Sequence, residues 1–263
     1  MGNRTGPVLA DSHCHLQMTP NPASLIARGR EAGVARLLIP GTTLADSAQA
    51  AALADPAHGV FAAVGIHPHE AKDFEPERDG AELERLAGLP GVSAVGEVGL
   101  DFHYDHSPRA KQIATLEWMI DLARRRNLPV ILHNRESGAE MEALLARFGP
   151  REDAGVLHSF TEDAAFGRRA IALGYRISFS GMITFRAAEN IRGAARGLPL
   201  ESLLIETDTP YLAPVPHRGK PCEPAMVVET ARKLAEVQGA SLERVAAATS
   251  ANFERLFGAP RHT

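Results

Sequence analysis

The sequence predicts an α/β protein in which eight parallel strands close into a (β/α)8 TIM barrel. Short apolar runs alternate with longer amphipathic stretches along the 263 residues. The apolar runs are continuous rather than alternating, which is typical of parallel strands buried on both faces. Eight such units, in a chain with 44% hydrophobic residues, are enough for one closed barrel with a large core.

Each predicted strand is an apolar run bounded by turn or helix signals. The clearest helical patterns cover 108–126 and 241–257. An open, doubly wound sheet is the alternative topology. Because no linker, repeat or low-complexity block divides the chain, we expect a single domain over residues 1–263. The strands are predicted at about 8–13, 36–40, 60–66, 92–97, 129–133, 154–158, 175–179 and 202–206.

Composition limits the classes of function. A net charge of -4 argues against a generally basic nucleic-acid-binding surface, although a local basic patch remains compatible with it. Two distant cysteines, Cys14 and Cys222, do not form a disulfide framework and favour a reducing compartment. No signal-peptide pattern or apolar run of membrane-spanning length is present. We therefore expect a cytoplasmic protein with no membrane association and no obligate protein partner.

Histidines and acidic residues recur where the predicted strands end. In a barrel of parallel strands the carboxyl ends meet at one mouth, where the active sites of such barrels lie. Imidazole and carboxylate groups are common ligands of divalent metals. We therefore predict a metal centre formed by strand-end residues: His13, His15, Glu97, His133, His158 and Asp208.

The first strand end has a spacing suited to metal binding. Side chains alternate along a strand, so Asp11, His13 and His15 are predicted on one face, and Ser12 and Cys14 on the other. Two imidazoles separated by one residue can bind the same ion. Cys14 is then interpreted as a small buried thiol that points towards the helices.

Glu97 is the predicted shared ligand, since a carboxylate can offer one oxygen to each of two cations. His133 and His158 on adjacent strands could complete a second ion, and Asp208 could coordinate the first ion and contact its water. Such a site generates hydroxide near neutral pH and places positive charge on the oxygens of an electrophile. Four imidazoles with two carboxylates favour Zn or Mn over Mg.

Several segments together resemble the TatD family of metal-dependent deoxyribonucleases, within the amidohydrolase-like barrels. The resemblance covers nearly the whole chain, and the segments occur in the order of the family. They include DSHCHL at 11–16, GIHPH at 65–69, GEVGLDF at 96–102, LPVILH at 128–133, HSF at 158–160, ETDTPYLAP at 206–214 and RGK at 218–220.

The resemblance implies two divalent metal ions and hydrolysis of phosphodiester bonds in DNA from the 3′ end. It implies a first ion bound by His13, His15 and Asp208, and a second bound by His133 and His158, with Glu97 shared. The family is usually Mg-dependent, which differs from the preference of the ligand set, so Mg, Mn and Zn all stay open. The residues expected to bind substrate phosphate are His67, Arg218 and Lys220.

The predicted mechanism is attack by a metal-bridging hydroxide, with Glu97 and Asp208 as the catalytic carboxylates. Asp208 would orient or deprotonate the water. Asp101 could cap a loop or support a ligand. Among the other histidines, His103 and His106 lie near the predicted mouth and stay open, whereas His58, His217 and His262 are interpreted as solvated.

Two other classes of protein compete with this interpretation. An amidohydrolase or phosphotriesterase-like enzyme acting on a small ester or amide would use a carbamylated lysine bridge. Glu97 occupies the bridging place that such a lysine would need. The lysines all fall in predicted loops or helices: Lys72, Lys111, Lys220 and Lys233. A metal-stabilised scaffold protein would have a closed, usually cysteine-rich site, whereas this site is open and uses no cysteine.

Overall fold

The eight predicted strands form one parallel sheet whose order follows the sequence. The structure is a computed structural model that describes residues 7–258, so both ends of the predicted domain, and His262, lie outside the described residues. The strands are β1 (Leu9–Asp11), β2 (Val34–Pro40), β3 (Val60–Val64), β4 (Val92–Asp101), β5 (Val130–Arg135), β6 (Gly155–Leu157), β7 (Tyr175–Phe179) and β8 (Leu203–Ile205).

Backbone hydrogen bonds join the first and last strands and close the barrel. The Ser12 amide donates to the Ile205 carbonyl at 3.0 Å. Beyond the strand ends, the Asp208 amide donates to the His13 carbonyl at 2.9 Å, and the His15 amide donates to the Thr209 carbonyl at 2.8 Å. The predicted TIM barrel is confirmed, and the open doubly wound alternative is wrong.

Helices follow the strands and cover the outside of the barrel. The predicted helix 108–126 is one helix of nearly that length. The predicted helix 241–257 instead ends at Phe253 and continues as a single π-helical turn, Glu254–Gly258. None of the helices in residues 7–258 is long and apolar enough to cross a membrane. They are α1 (Pro22–Glu31), α2 (Leu44–Leu53), α3 (Pro76–Ala87), α4 (Arg109–Arg125), α5 (Gly138–Phe148), α6 (Ala164–Ala172), α7 (Glu189–Arg196), α8 (Val227–Gln238) and α9 (Leu242–Phe253).

The core has two parts, because the strands are buried on both faces. A large apolar cluster lies between the strands and the helices. A smaller one contains residues from the strands, such as Leu38 and Ile131, together with Phe253, Leu256 and Phe257. The end of the chain therefore packs against strand residues, while polar residues gather at the carboxyl ends of the strands.

Strand β4 is longer and less regular than predicted. It continues to Asp101, beyond the predicted end at 97, and its pairing with β5 shifts register between Val95 and Val98. Gly96 and Gly99 have φ of 146° and 156°, which side chains rarely adopt. A Cβ added to Gly99 would lie 1.9 Å from the His133 carbonyl oxygen. The irregularity lets β4 approach β5 closely beside Glu97.

We expect Gly99→Ala to destabilise the fold by roughly 2–5 kcal/mol, through backbone strain and overpacking against β5. Urea denaturation measures this change. Gly193→Ala is the matched control, because a Cβ at Gly193 in α7 meets nothing within 4 Å. That control should be neutral or slightly stabilising. Equal urea midpoints for the two variants would contradict the assigned role of Gly99.

Candidate metal centre

The Glu97 carboxylate lies at the centre of the mouth, and its two oxygens face different histidines. Glu97 is buried, with 2% of its surface exposed. Its Oε2 lies 3.2 Å from His13 Nε2 and 3.5 Å from His15 Nε2. Its Oε1 lies 2.8 Å from His158 Nε2 and 2.9 Å from His133 Nδ1. We call Glu97 Oε2, His13 and His15 the first donor group. Glu97 Oε1, His133 and His158 form the second donor group.

The first donor group lies where the segment after β1 meets the segment after β8. His13 Nε2 and His15 Nε2 are 3.1 Å apart. Asp208 Oδ1 lies 3.6 Å from His15 Nε2 and 3.9 Å from His13 Nε2, and completes this group. β1 ends at Asp11, so both histidines lie on the segment that follows it. That segment is bonded on one side to β2, through the Cys14 amide, and on the other to residues 208–209.

The second donor group is oriented by carboxylates behind the rings. His133 Nδ1 and His158 Nε2 are 3.3 Å apart. The other nitrogen of each ring lies 3.2 Å from a carboxylate oxygen, His133 Nε2 from Asp101 Oδ2 and His158 Nδ1 from Glu206 Oε1. A carboxylate that accepts the ring N–H leaves the opposite nitrogen as a lone-pair donor. When the two rings are neutral, both lone pairs therefore face Glu97.

The donor atoms fit divalent cations. Bonds of about 2.0–2.1 Å in tetrahedral or octahedral geometry place neighbouring ligand atoms about 2.9–3.4 Å apart. Most of the separations within each donor group are close to this range. His13 Nδ1 and His15 Nδ1 are buried and have no hydrogen-bond partner among residues 7–258, while the Nε2 atom of each ring faces Glu97.

Electrostatics favour positive charge between these groups. Burial raises the pKa of Glu97, but the positive charge of His158 and the hydrogen bond from His13 act against burial, and this pKa lies well below its usual value. Burial lowers the pKa of His13 to about 4, so its imidazole is neutral at pH 7. Burial also lowers the pKa of His158, yet Glu97 and Glu206 outweigh it and raise this pKa well above the usual value. The carboxylates therefore attract either a proton or a metal cation.

Asp208 differs from Glu97 in its environment. Burial raises the pKa of Asp208 to about 7, and the negative charges of Glu97 and Glu206 act in the same direction. His15 and His158 oppose this shift. A carboxylate whose pKa lies near neutrality can take up and release a proton under physiological conditions. Its side chain retains some exposure, 14%, so it can reach a water or substrate at the mouth.

His67, predicted to bind phosphate, lies beside the second donor group. Its Nε2 is 3.4 Å from Glu97 Oε1, and its ring centre is 4.7 Å from that of His133. Burial lowers its pKa to about 4, so the ring is neutral. The His69 amide donates to His67 Nδ1 at 3.2 Å, which leaves the proton on Nε2. In this tautomer His67 is a hydrogen-bond donor rather than a metal ligand.

Arg218 and Lys220 lie apart from the donor groups. Both are exposed on the loop that follows β8, as is Tyr211, whose ring centre is 6.4 Å from that of His15. The Arg218 guanidinium lies 3.9 Å from the centre of the Phe185 ring. Lys220 lines a cavity of about 630 Å³. Contact of either residue with phosphate stays a prediction.

Two supporting carboxylates were incompletely identified from the sequence. The sequence is compatible with two roles for Asp101, as a loop cap and as support for a ligand, and Asp101 has both. Its Oδ1 accepts the amides of His103 and Tyr104 at 3.0 and 2.9 Å, while Oδ2 lies beside His133 Nε2. Glu206 was not assigned, although an acidic residue directly after the apolar run of β8 is the same signal that identified Glu97.

Two other residues at the end of the first strand, Asp11 and Cys14, have contacts outside the donor groups. The Asp11 carboxylate accepts the Thr207 amide at 2.9 Å and the Thr207 hydroxyl at 2.6 Å. The strand ends at Asp11, so the alternation expected of a strand does not continue to His15. Cys14 is buried, as expected, and its thiol lies 3.4 Å from the Leu38 carbonyl.

A closed (β/α)8 barrel with buried histidines and carboxylates at the carboxyl ends of its strands defines a metal-dependent hydrolase. Comparison with known families agrees with this class. Residues 10–258 match the family model described as TatD related DNase. The chain belongs to the TatD family, which confirms the resemblance seen in its sequence.

Individual relatives cover nearly the whole chain. The uncharacterized metal-dependent hydrolase YcfH of Escherichia coli K12 is 40% identical over 255 residues, 95% of each chain. The protein of Erwinia amylovora named 3'-5' ssDNA/RNA exonuclease TatD is 34% identical over 248 residues, 92% of this chain and 95% of that protein. The crystal structure of YjjV, a TatD homologue from E. coli K12, superposes with a TM-score of 0.87 at 31% identity, over 96% of this chain and 98% of that one.

We expect Asp101→Asn to weaken Mn²⁺ binding by about 10- to 100-fold. The His103 and Tyr104 amides would hold the asparagine oxygen, and the amide nitrogen left beside His133 Nε2 cannot accept its proton. Isothermal titration with Mn²⁺ measures the change. Asp79→Asn is the matched control: Asp79 is a buried carboxylate in α3 that pairs with Arg78. Unchanged Mn²⁺ affinity in Asp101→Asn would remove Asp101 from the support of the second donor group.

Proposed function

We propose that this protein is a two-metal phosphodiesterase that removes nucleotides from the 3′ end of single-stranded DNA or RNA. The observation that carries the two-metal proposal is the position of Glu97. Each of its oxygens faces a separate set of imidazole nitrogens, as expected of a carboxylate shared by two ions. His13, His15 and Asp208 would hold the first ion, and His133 and His158 the second.

Two bound divalent cations would acidify a water and neutralise charge on the phosphate. Asp208 is placed to accept a proton from the attacking water, since it faces the first donor group and its side chain keeps 14% exposure at the mouth. His67 presents its Nε2–H beside the second donor group and can donate to a phosphate oxygen. Arg218 and Lys220, exposed on the loop after β8, can bind phosphates further along a strand.

Nucleic acid as the substrate is supported by the family description and by the relative named as an exonuclease. The buried donor groups lie at the mouth of the barrel, which a flexible strand end can enter more easily than a duplex. The donor set favours Mn or Zn, while the family resemblance implies Mg. We propose two divalent ions per chain. Mg, Mn and Zn each need a separate test.

A carbamylated-lysine enzyme acting on a small ester or amide receives no support from the lysine positions. Lys111 Nζ lies 2.7 Å from Glu75, and Lys233 Nζ lies 2.6 Å from Glu236, both on the helical surface. Lys72 Nζ lies 3.4 Å from the His106 carbonyl, and Lys220 is exposed on its loop. Glu97 fills the place that a modified lysine would need.

The test uses pure protein with single-stranded DNA, RNA and blunt duplex DNA, labelled at the 5′ or 3′ end, in Mg²⁺, Mn²⁺ or Zn²⁺. We expect a ladder of 5′-labelled products from the single strands. Glu97→Ala should lower cleavage by at least about a thousandfold, because it removes the ligand shared by both ions. Bound metal, measured by mass spectrometry, should fall from two ions to one or none.

Glu142→Ala is the matched control, since Glu142 pairs with Arg169 on the outer helices and neither residue is a proposed ligand. It should keep full activity and both ions. Full activity of Glu97→Ala with two bound ions would overturn the shared-ligand proposal. Wild-type protein that hydrolyses a small phosphoester but no oligonucleotide would overturn the proposed substrate.

A further inference from the structure

The loop between β4 and α4 carries an exposed aromatic ring at the mouth. Half of the surface of Tyr104 is exposed, 50%, which is unusual for a large apolar side chain in this protein. Its ring lies parallel to the His106 ring, with centres 5.5 Å apart and an interplanar angle of 12°. The Arg135 guanidinium lies 4.6 Å from the Tyr104 ring centre. We call these three side chains the Tyr104 platform.

The platform lies next to the candidate metal centre. The ring of His69 contacts both parts of it, with centres 4.6 Å from His106 and 5.5 Å from Tyr104. The same ring lies 6.3 Å from His133, a member of the second donor group. A single imidazole therefore separates the platform from a proposed metal ligand. A strand with its phosphate at the donor groups would have a neighbouring nucleotide within reach of Tyr104.

Hydrogen bonds hold the loop in this conformation before any substrate arrives. Asp101 Oδ1 accepts the Tyr104 amide. Gln112, which is fully buried, donates through Nε2 to the carbonyls of Asp101 and Ser107 at 3.2 and 2.8 Å. The Ser107 hydroxyl donates to the His69 carbonyl at 2.7 Å. A preformed surface loses little conformational entropy when it binds a ligand.

The charge of Arg135 is not neutralised by a neighbouring carboxylate. Within residues 7–258 no ion pair involves Arg135, whereas the nearby Arg109 lies 3.5 Å from Asp105. An unpaired guanidinium beside an aromatic ring can contact phosphate with its N–H groups and a base with its planar face. Neither the folded core nor the metal centre explains an exposed tyrosine with an unpaired arginine beside it.

We propose that the Tyr104 platform binds an unpaired nucleobase of the substrate by stacking, with Arg135 contacting an adjacent phosphate. The inference rests on the proposed function and adds the means by which single strands are selected. Stacking on aromatic rings accepts every base, because each base has a π face. In a duplex the base faces are covered by neighbouring base pairs, so only an unpaired strand can use the platform.

The first test measures binding of a 5′-fluorescein ten-nucleotide single strand by anisotropy, in Mn²⁺ and with phosphorothioate linkages that resist cleavage, so that the donor groups can hold their ions. We expect Tyr104→Ala to weaken binding about 5- to 150-fold, the range for loss of one stacked base. Tyr104→Trp should keep wild-type affinity. Thermal melting of each variant checks that the fold is intact, as expected for a substitution of a half-exposed side chain.

A second test removes the base instead of the ring. Single abasic sites are placed in turn at each of the five positions nearest the 3′ end. In wild-type protein one position should show a loss of affinity similar to that of Tyr104→Ala. In Tyr104→Ala that loss should disappear, because the partner of the missing base is already absent. Identical abasic profiles for the two proteins would overturn the platform.

Arg135 is tested through the dependence of binding on salt. Arg135→Ala should reduce the slope of log affinity against log salt concentration by about 0.7, the value for one phosphate contact on a single strand. Arg147→Ala is the matched control, because Arg147 is an exposed arginine that pairs with Glu117 on the outer helices. It should leave the slope unchanged. Equal slopes in the two variants would remove Arg135 from the platform.

Cleavage assays separate this inference from the proposed function. Protein that binds single strands through Tyr104 but cleaves no nucleic acid would overturn the proposed function and support the platform. Protein that cleaves single strands equally well with and without the Tyr104 ring would overturn the platform and support the proposed function. Absence of binding to any single strand by wild-type protein would overturn the platform.

Discussion

The interaction on which the site depends is the burial of the Glu97 carboxylate among five imidazoles. A buried carboxylate is unstable without positive charge or hydrogen-bond donors beside it. Glu97 reaches this position because β4 shifts register against β5, and the shift needs the backbone freedom of Gly96 and Gly99. The position of the proposed shared ligand therefore depends on the irregular backbone of β4. The remaining ligands are arranged around the place where that carboxylate must lie.

Different contacts position the histidine rings of the two donor groups. In the second, Asp101 and Glu206 accept ring protons, so the protonation of His133 and His158 is set by side chains behind them. In the first, the His13 and His15 rings lack such partners within the described residues, and the backbone of the barrel closure positions them. Asp101 also holds the loop that carries Tyr104. One carboxylate thus connects the metal centre with the surface proposed to bind a base.

The sequence predicted the barrel and the grouping of strand-end residues, because apolar runs are a local signal and parallel strands bring their carboxyl ends to one mouth. It did not predict the end of β4, since a register shift depends on the neighbouring strand. The stacking of Arg218 on Phe185 was also missed, because it joins residues from different loops. Tyr104 and His106 gave no periodic signal at all. Their alignment depends on Gln112 and Ser107, which no pattern in the loop reveals.

The closure between β8 and β1 has a consequence for the order in which the protein is assembled. Asp11 and Thr207, hydrogen-bonded to each other beside the first donor group, are 196 positions apart in the chain. His13 and His15 are made early in synthesis and Asp208 late, so a growing chain holds only part of this group until its last strand docks. An ion bound there would join the segment after β1 to the segment after β8. Its binding would raise the free energy of unfolding and oppose separation of the first and last strands.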